Sequence, residues 1–195
     1  MVLIIGNGES RKSTNLDNIP IKKIGCNAVY RDNFIDLLVC VDRRMVIEAL
    51  ENNIQGLIYT RSIWIPQFHN AENVKSLPTL PFPINSNADK EINWSSGPYS
   101  ILLGAMHFNI IYLIGFDLYS PTNIINNIYK NTKNYNTSNS KAVDPRYWIY
   151  QIALIFSHFK NNKFIIFQPN GWQQPKSWKS KNVFVDNIDK IKYYI

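Results

Sequence analysis

Five short polar clusters hold most of the chemistry this 195-residue chain can offer. They are Gly6-Asn7-Gly8, Gly25-Cys26-Asn27, Asp42-Arg43-Arg44, Ser95-Ser96-Gly97 and Gly115-Phe116-Asp117, the last followed by Tyr119. Asn7 and Asn27 each present one acceptor and two donors, a set suited to a base edge, a ribose or a phosphate. Asp117 can accept from ribose hydroxyls or a base amino group. Gly6 and Gly8 allow the backbone to come close to a ligand, and if Ser96 and Gly97 open a helix, their free N–H groups favour a phosphate. For Gly6-Asn7-Gly8 taken alone, a tight turn that binds nothing is the alternative. Ser10, just beyond it, either caps a helix or lies in a loop.

The clusters gain meaning from what precedes them. Residues 1–5 are apolar and β-branched, as expected of a strand buried on both faces. Further strands are predicted over 21–25, 35–41, 56–60, 109–116 and 163–169, with an extra one over 182–186. Helices are predicted over 43–53, 95–108 and 145–159, the second with Pro98 in its first turn and Ile101, Leu102, Ala105 and Met106 toward the sheet. Strand alternating with helix implies one α/β domain over 1–195, Rossmann-like, with a mostly parallel sheet and helices on both faces. In such a sheet the carboxyl ends of the strands share one edge, so the clusters should converge there. Residues 61–94 hold four prolines and little periodicity, and are expected to be an irregular excursion. Residues 120–141 hold seven asparagines and are expected to form a mobile lid.

Composition narrows the partners. A net charge of +7 favours anionic ones, yet the lysines are dispersed and no long basic arm occurs, so nucleic acid is not favoured. Arg31, Arg43, Arg44 and Arg61 form a candidate anion patch, with a solvated helix start the plainer reading of Arg43 and Arg44. Cys26 and Cys40 lack a Cys or His neighbour at metal-ligand spacing and read as reduced core thiols. No stretch is long and apolar enough to span a bilayer, and the N-terminal apolar run is too short for a signal peptide. The expected location is cytoplasmic, in the host cell if the chain is viral.

The segments "IIGNGES", "GCNAVY" and "SSGPYSILLGAMHFNIIYLIGFDLYS" resemble the bacterial sialyltransferases of the family that includes the Campylobacter enzymes. That family shows a Gly-Asn-Gly-Pro-Ser loop, a Cys-Asn-x-x-Tyr segment, a Thr-Ser-Gly helix start and a Gly-Ile-Asp-Phe-Tyr strand end. The resemblance covers roughly residues 1–120 and, weakly, extends to 170. It implies a metal-independent glycosyltransferase using a CMP-activated sugar, with Gly6, Asn7, Gly8, Ser10, Asn27, Asp42, Ser95, Ser96, Gly97, Gly115, Asp117 and Tyr119 holding the donor. Asp42 stands where the family has a donor-site asparagine. Tyr129 and Tyr135 would assist the departing phosphate, as the family's lid tyrosines do. The family's histidine base has no counterpart in "SKAVDPRYW", where Asp144 is the available substitute; His107 and His158 read as structural, and nothing fixes His69 at a site. The acceptor, a glycan or another anionic molecule, is not specified.

Looser likenesses are to archaeal pterin pyrophosphokinase-like proteins and to phage proteins with a similar asparagine-rich segment. Two further functions are carried: a nucleotide-binding protein without transfer chemistry, favoured by the absent histidine, and a phosphoryl-transfer enzyme with Mg²⁺ held by Asp42 or Asp117.

Overall fold

The computed structural model describes residues 1–120 and 122–195. Within them eight strands form one sheet: β1 (Val2–Ile5), β2 (Lys22–Cys26), β3 (Leu37–Val39), β4 (Leu57–Thr60), β5 (Val74–Ser76), β6 (Ile110–Ile114), β7 (Lys163–Gln168) and β8 (Val183–Asn187). Every pairing is parallel, in the order β5-β4-β3-β2-β1-β6-β7-β8. Among the described residues three α-helices accompany it: α1 (Arg43–Glu51), α2 (Ser96–His107) and α3 (Arg146–His158).

β1 is buried along its whole length because both faces of the sheet are covered. Val2 and Ile4 pack with Ile101 and Leu102 of α2 and with Ile152 and Phe156 of α3. Leu3 and Ile5, one residue out of phase, join Met45, Val46 and Ala49 of α1 in the opposite cluster. Helices therefore lie on both faces of an all-parallel sheet. Among the described residues no helix is long and apolar enough to cross a membrane.

The sheet differs from the sequence expectation at β5, which lies inside the Pro-rich stretch 61–94. Its three residues bury only Val74, too little to leave a strand pattern in the sequence. β8 confirms the extra strand. Its partner β7 is the strand predicted over 163–169.

The chain winds outward from β1 through β2 to β5, then returns across the sheet to β6 on the other side of β1. The order thus reverses between β1 and β6, where an open parallel sheet leaves a crevice at its carboxyl edge. Register sets what meets there: Ile5 stands beside Gly25 on one side and Ile114 on the other. Gly6, Cys26 and Gly115 follow at one level.

Residues 122–141 add no strand to this sheet, only an isolated antiparallel bridge between Ile124 and Lys141. They are nevertheless fastened to it. Ile128 donates its N–H to the Asn7 carbonyl at 2.9 Å. Arg31 donates to Thr132 Oγ1 at 2.7 Å and to the Lys133 carbonyl at 2.9 Å. Lys130 pairs with Glu9, and Asn134 donates to Glu48 at 2.6 Å.

Candidate functional site

Two backbones meet at the crevice with no room for side chains between them. A Cβ on Gly6 would stand 2.3 Å from the Gly115 carbonyl oxygen, and Gly115 holds a φ of +73°. The ladder continues past both strands, with Gly6 N–H donating to Ile114 O at 2.8 Å and Gly8 N–H to Gly115 O at 2.9 Å. Beneath this turn Arg11, 2% exposed, donates Nε–H to the Gly6 carbonyl at 2.7 Å. Its other nitrogens reach Asp32 at 2.9 Å and the Tyr129 hydroxyl at 2.6 Å, which satisfies an otherwise costly buried charge. Burial works against the Arg11 guanidinium, but these partners outweigh it and keep its pKa raised.

Gly8 faces Asp117, whose carboxylate occupies the space a Cβ would need. Ser10 holds that carboxylate, its N–H donating to Oδ2 at 2.9 Å and its hydroxyl to Oδ1. The loops after β1 and β6 are thereby tied together by a polar clasp.

These loops, the turn after β2 and the start of α2 enclose a cavity of about 190 Å³. At its floor Ser96 accepts from Val41 N–H at 3.0 Å and donates to Asn27 Oδ1 at 2.8 Å. Asn27 sits at φ +53°, a conformation that asparagine tolerates better than most residues. Because its oxygen is taken by Ser96, its amide nitrogen remains for a ligand. Ser95 stands at the N-cap of α2 without a side-chain capping bond; its hydroxyl accepts from Trp148 Nε1 at 2.9 Å. Among the described residues, the N–H groups of Ser96 and Gly97 meet no acceptor, and the helix dipole adds partial positive charge.

The cavity wall opposite is Tyr135. Its hydroxyl accepts from Asn7 Nδ2 at 3.1 Å and from Ala28 N–H at 3.3 Å, leaving its own proton to be donated. Burial raises its pKa, so it stays a phenol at neutral pH. Arg31 lies over the Tyr129 and Tyr135 rings, 5.6 and 5.5 Å from their centroids, and holds both. Burial also raises the Cys26 thiol to about 12, so the one cysteine in the wall is not a thiolate.

The structure thus gathers Gly6, Asn7, Gly8, Asn27, Ser95, Ser96, Gly97, Gly115, Asp117 and Tyr135 around one cavity. Ser10 and Tyr119 do not line it. They border an adjoining open groove of about 670 Å³, which also touches Asp117, Gln168 and Trp172. Asp42 is exposed at the start of α1 and lines neither space. Tyr129 is buried under the turn with its hydroxyl committed to Arg11 and Asp32. Asp144 borders a separate surface pocket with Tyr147 and Tyr150, and its carboxylate pairs with Arg146. The pairing holds its pKa below the usual carboxylate value, which makes it a weaker base.

Four contributing residues went unread in the sequence. Trp148 and Ile152 reach the cavity from α3 at a spacing of one helical turn, which alone signals only core packing. Asn126 fixes the rim by accepting from Glu9 N–H at 2.8 Å and donating to Tyr119 O at 2.9 Å. Arg11 supports the turn from beneath. Among the described residues no group of three or more His, Cys, Asp or Glu side chains is placed to hold a metal ion. Asp42 and Asp117, both candidates for Mg²⁺, do not share the cavity.

Comparison with protein-family models, curated proteins and solved structures finds no match to this chain.

Proposed function

We propose that the chain binds the nucleotide of a CMP-activated sugar in the crevice between β1 and β6 and transfers the sugar without a metal. The observation that carries this reading is the set of unclaimed donors facing one cavity: Ser96 N–H, Gly97 N–H, Asn27 Nδ2 and the Tyr135 hydroxyl. Fixed donors of this kind are suited to a phosphate, because they need no reorganisation as charge grows on its oxygens. The crevice at a reversal of strand order is also where parallel sheets accommodate nucleotides. The choice of CMP rests on the sialyltransferase resemblance of the surrounding motifs.

On this reading, the α2 N-terminus holds the CMP phosphate and Tyr135 donates to the oxygen that leaves with it. The sugar then lies toward the groove beyond Asp117, where an acceptor hydroxyl can approach. Asp117 is the carboxylate that borders both cavity and groove, so it takes the acceptor's proton as the new bond forms. Asp144 has no part in this step.

The experiment is release of CMP from CMP-N-acetylneuraminic acid, with water or added glycans as acceptor, in buffer containing a chelator. Release is expected to persist without metal. Tyr135→Phe is expected to slow it by about tenfold to a hundredfold, the effect of removing one hydrogen bond to a charged group. Release that needs Mg²⁺ would overturn the mechanism.

A second reading, a nucleotide-binding protein without transfer chemistry, is favoured by one observation. Ser10 donates to both oxygens of the Asp117 carboxylate, so neither is unclaimed for an acceptor hydroxyl. CMP binding without release would assign that reading.

A further inference from the structure

Of the four arginines that form a candidate anion patch in the sequence, three are engaged elsewhere or solvated. Arg31 pairs with Glu48, Arg43 donates to Gln67, and Arg44 is exposed. Arg61 differs. It follows β4, and its Nη2 donates to the Trp94 carbonyl at 3.0 Å, while its Nε–H is buried and meets no partner among the described residues.

Arg61 borders a pocket of about 240 Å³ that shares no residue with the cavity between β1 and β6. Tyr99, from the first turn of α2, also borders it. Tyr99 is only 1% exposed, and its hydroxyl, which makes no hydrogen bond among the described residues, is not one of the groups sealed from solvent. Burial raises its pKa, so it remains a donor. Neighbouring Thr60 and Trp94 are both fully buried, and each carries a further unpartnered polar atom. Those two residues do not line the pocket and their free atoms are sealed from it, so the polar groups that face a ligand are the Arg61 guanidinium edge, the Tyr99 hydroxyl and Ser62.

The rest of the wall restricts the ligand. Ser62 adds a hydroxyl, and Ile63, Leu77 and Ile92 add aliphatic surface. Ile63 and Ile92 are 55% and 52% exposed, so they present apolar area that nothing in the chain covers. Glu91 brings a negative charge to the same wall, which opposes a phosphate dianion more than a singly charged group. A planar guanidinium with a free N–H matches a carboxylate.

We propose that this pocket is a second binding site, one for a small monocarboxylate with a branched aliphatic body. The carboxylate accepts from the accessible edge of the Arg61 guanidinium and from the Tyr99 hydroxyl, and the hydrocarbon covers Ile63 and Ile92. A simple branched acid and an aliphatic amino acid share this chemistry. They differ in whether an ammonium meets Glu91.

Amide NMR titration of the whole chain with isovalerate, L-valine and inorganic phosphate tests the site. Millimolar isovalerate or L-valine is expected to shift Arg61, Ser62, Ile63 and Ile92 while leaving Gly6 and Asn7 in place. Tighter binding of L-valine assigns an amino acid, and tighter binding of isovalerate a simple acid. Tyr99→Phe, which keeps the ring and its packing, is expected to weaken either by about tenfold. Arg61→Lys is expected to weaken it further, since a lysine cannot present the planar fork. No shift with either carboxylate, phosphate binding more tightly than both, or unchanged affinity in Tyr99→Phe would overturn the proposal. Because the pocket lies apart from the nucleotide cavity, failure to bind CMP has no bearing on it.

Discussion

Gly8 and Asp117 are fitted to one another: the carboxylate fills the space a side chain at Gly8 would need, and Ser10 holds it there. Gly8→Ala is therefore expected to push Asp117 away and open the clasp between the β1 and β6 loops. Thermal unfolding should report a loss of about 1–3 kcal/mol, the usual range for overpacking a close contact. Ser96→Ala acts on the other side of the cavity. It strands the Val41 N–H and frees Asn27 Oδ1, and equilibrium unfolding should report a loss of about 1–3 kcal/mol. The glycines and asparagines of the site were legible because glycine interrupts apolar runs at strand ends, where it has few other uses. Arg11 was not legible. A charged residue in a weakly helical stretch reads as solvated, and its burial depends on Asp32 and Tyr129, the latter 118 residues away.

Among the elements, the segment 122–141 has the most to lose from a change of conditions. Glu48 on α1 anchors it, accepting from Asn134 while also holding Tyr30 and Arg31, the arginine that clasps Tyr135. Burial alone would raise the Glu48 pKa, but these hydrogen bonds outweigh it and hold the value below that of an ordinary glutamate. A carboxylate with a depressed folded pKa gives stability that is present above its unfolded value and lost as pH falls through the folded one. The native chain is thus expected to lose stability between about pH 5 and pH 3, and Glu48→Gln to lose less over the same range. Hydrogen exchange over 122–141 should rise in step with that loss in the native chain. Flat exchange across the range would separate Glu48 from the segment's attachment. The sequence showed this stretch only as asparagine-rich and poorly apolar. Its anchoring relies on single side chains from distant elements, which no local period reveals. β5 was hidden for a related reason: one buried residue in three makes no pattern, and the strand exists because β4 offers it an edge.

At the scale of the molecule, loops from five distant parts of the sequence meet at one edge, beside the reversal of strand order at β1. That convergence was legible, because alternating strands and helices leave a parallel sheet few other arrangements. What each gathered side chain does was less so. Tyr129 and Tyr135 belong to the same loop and looked equivalent, yet one packs under the turn and the other lines the cavity.

The most direct test of the central claim, a nucleotide in this crevice, is thermal unfolding with a panel of nucleotides and nucleotide sugars, with and without Mg²⁺. At about a hundredfold excess over Kd, a ligand that binds only the folded chain should raise Tm by roughly 5–10 °C for a chain of this size. The account predicts such a rise with CMP or a CMP-sugar, independent of Mg²⁺ and lost in Asn27→Ala. Absence of any rise across the panel, or a rise that survives Asn27→Ala, would contradict it.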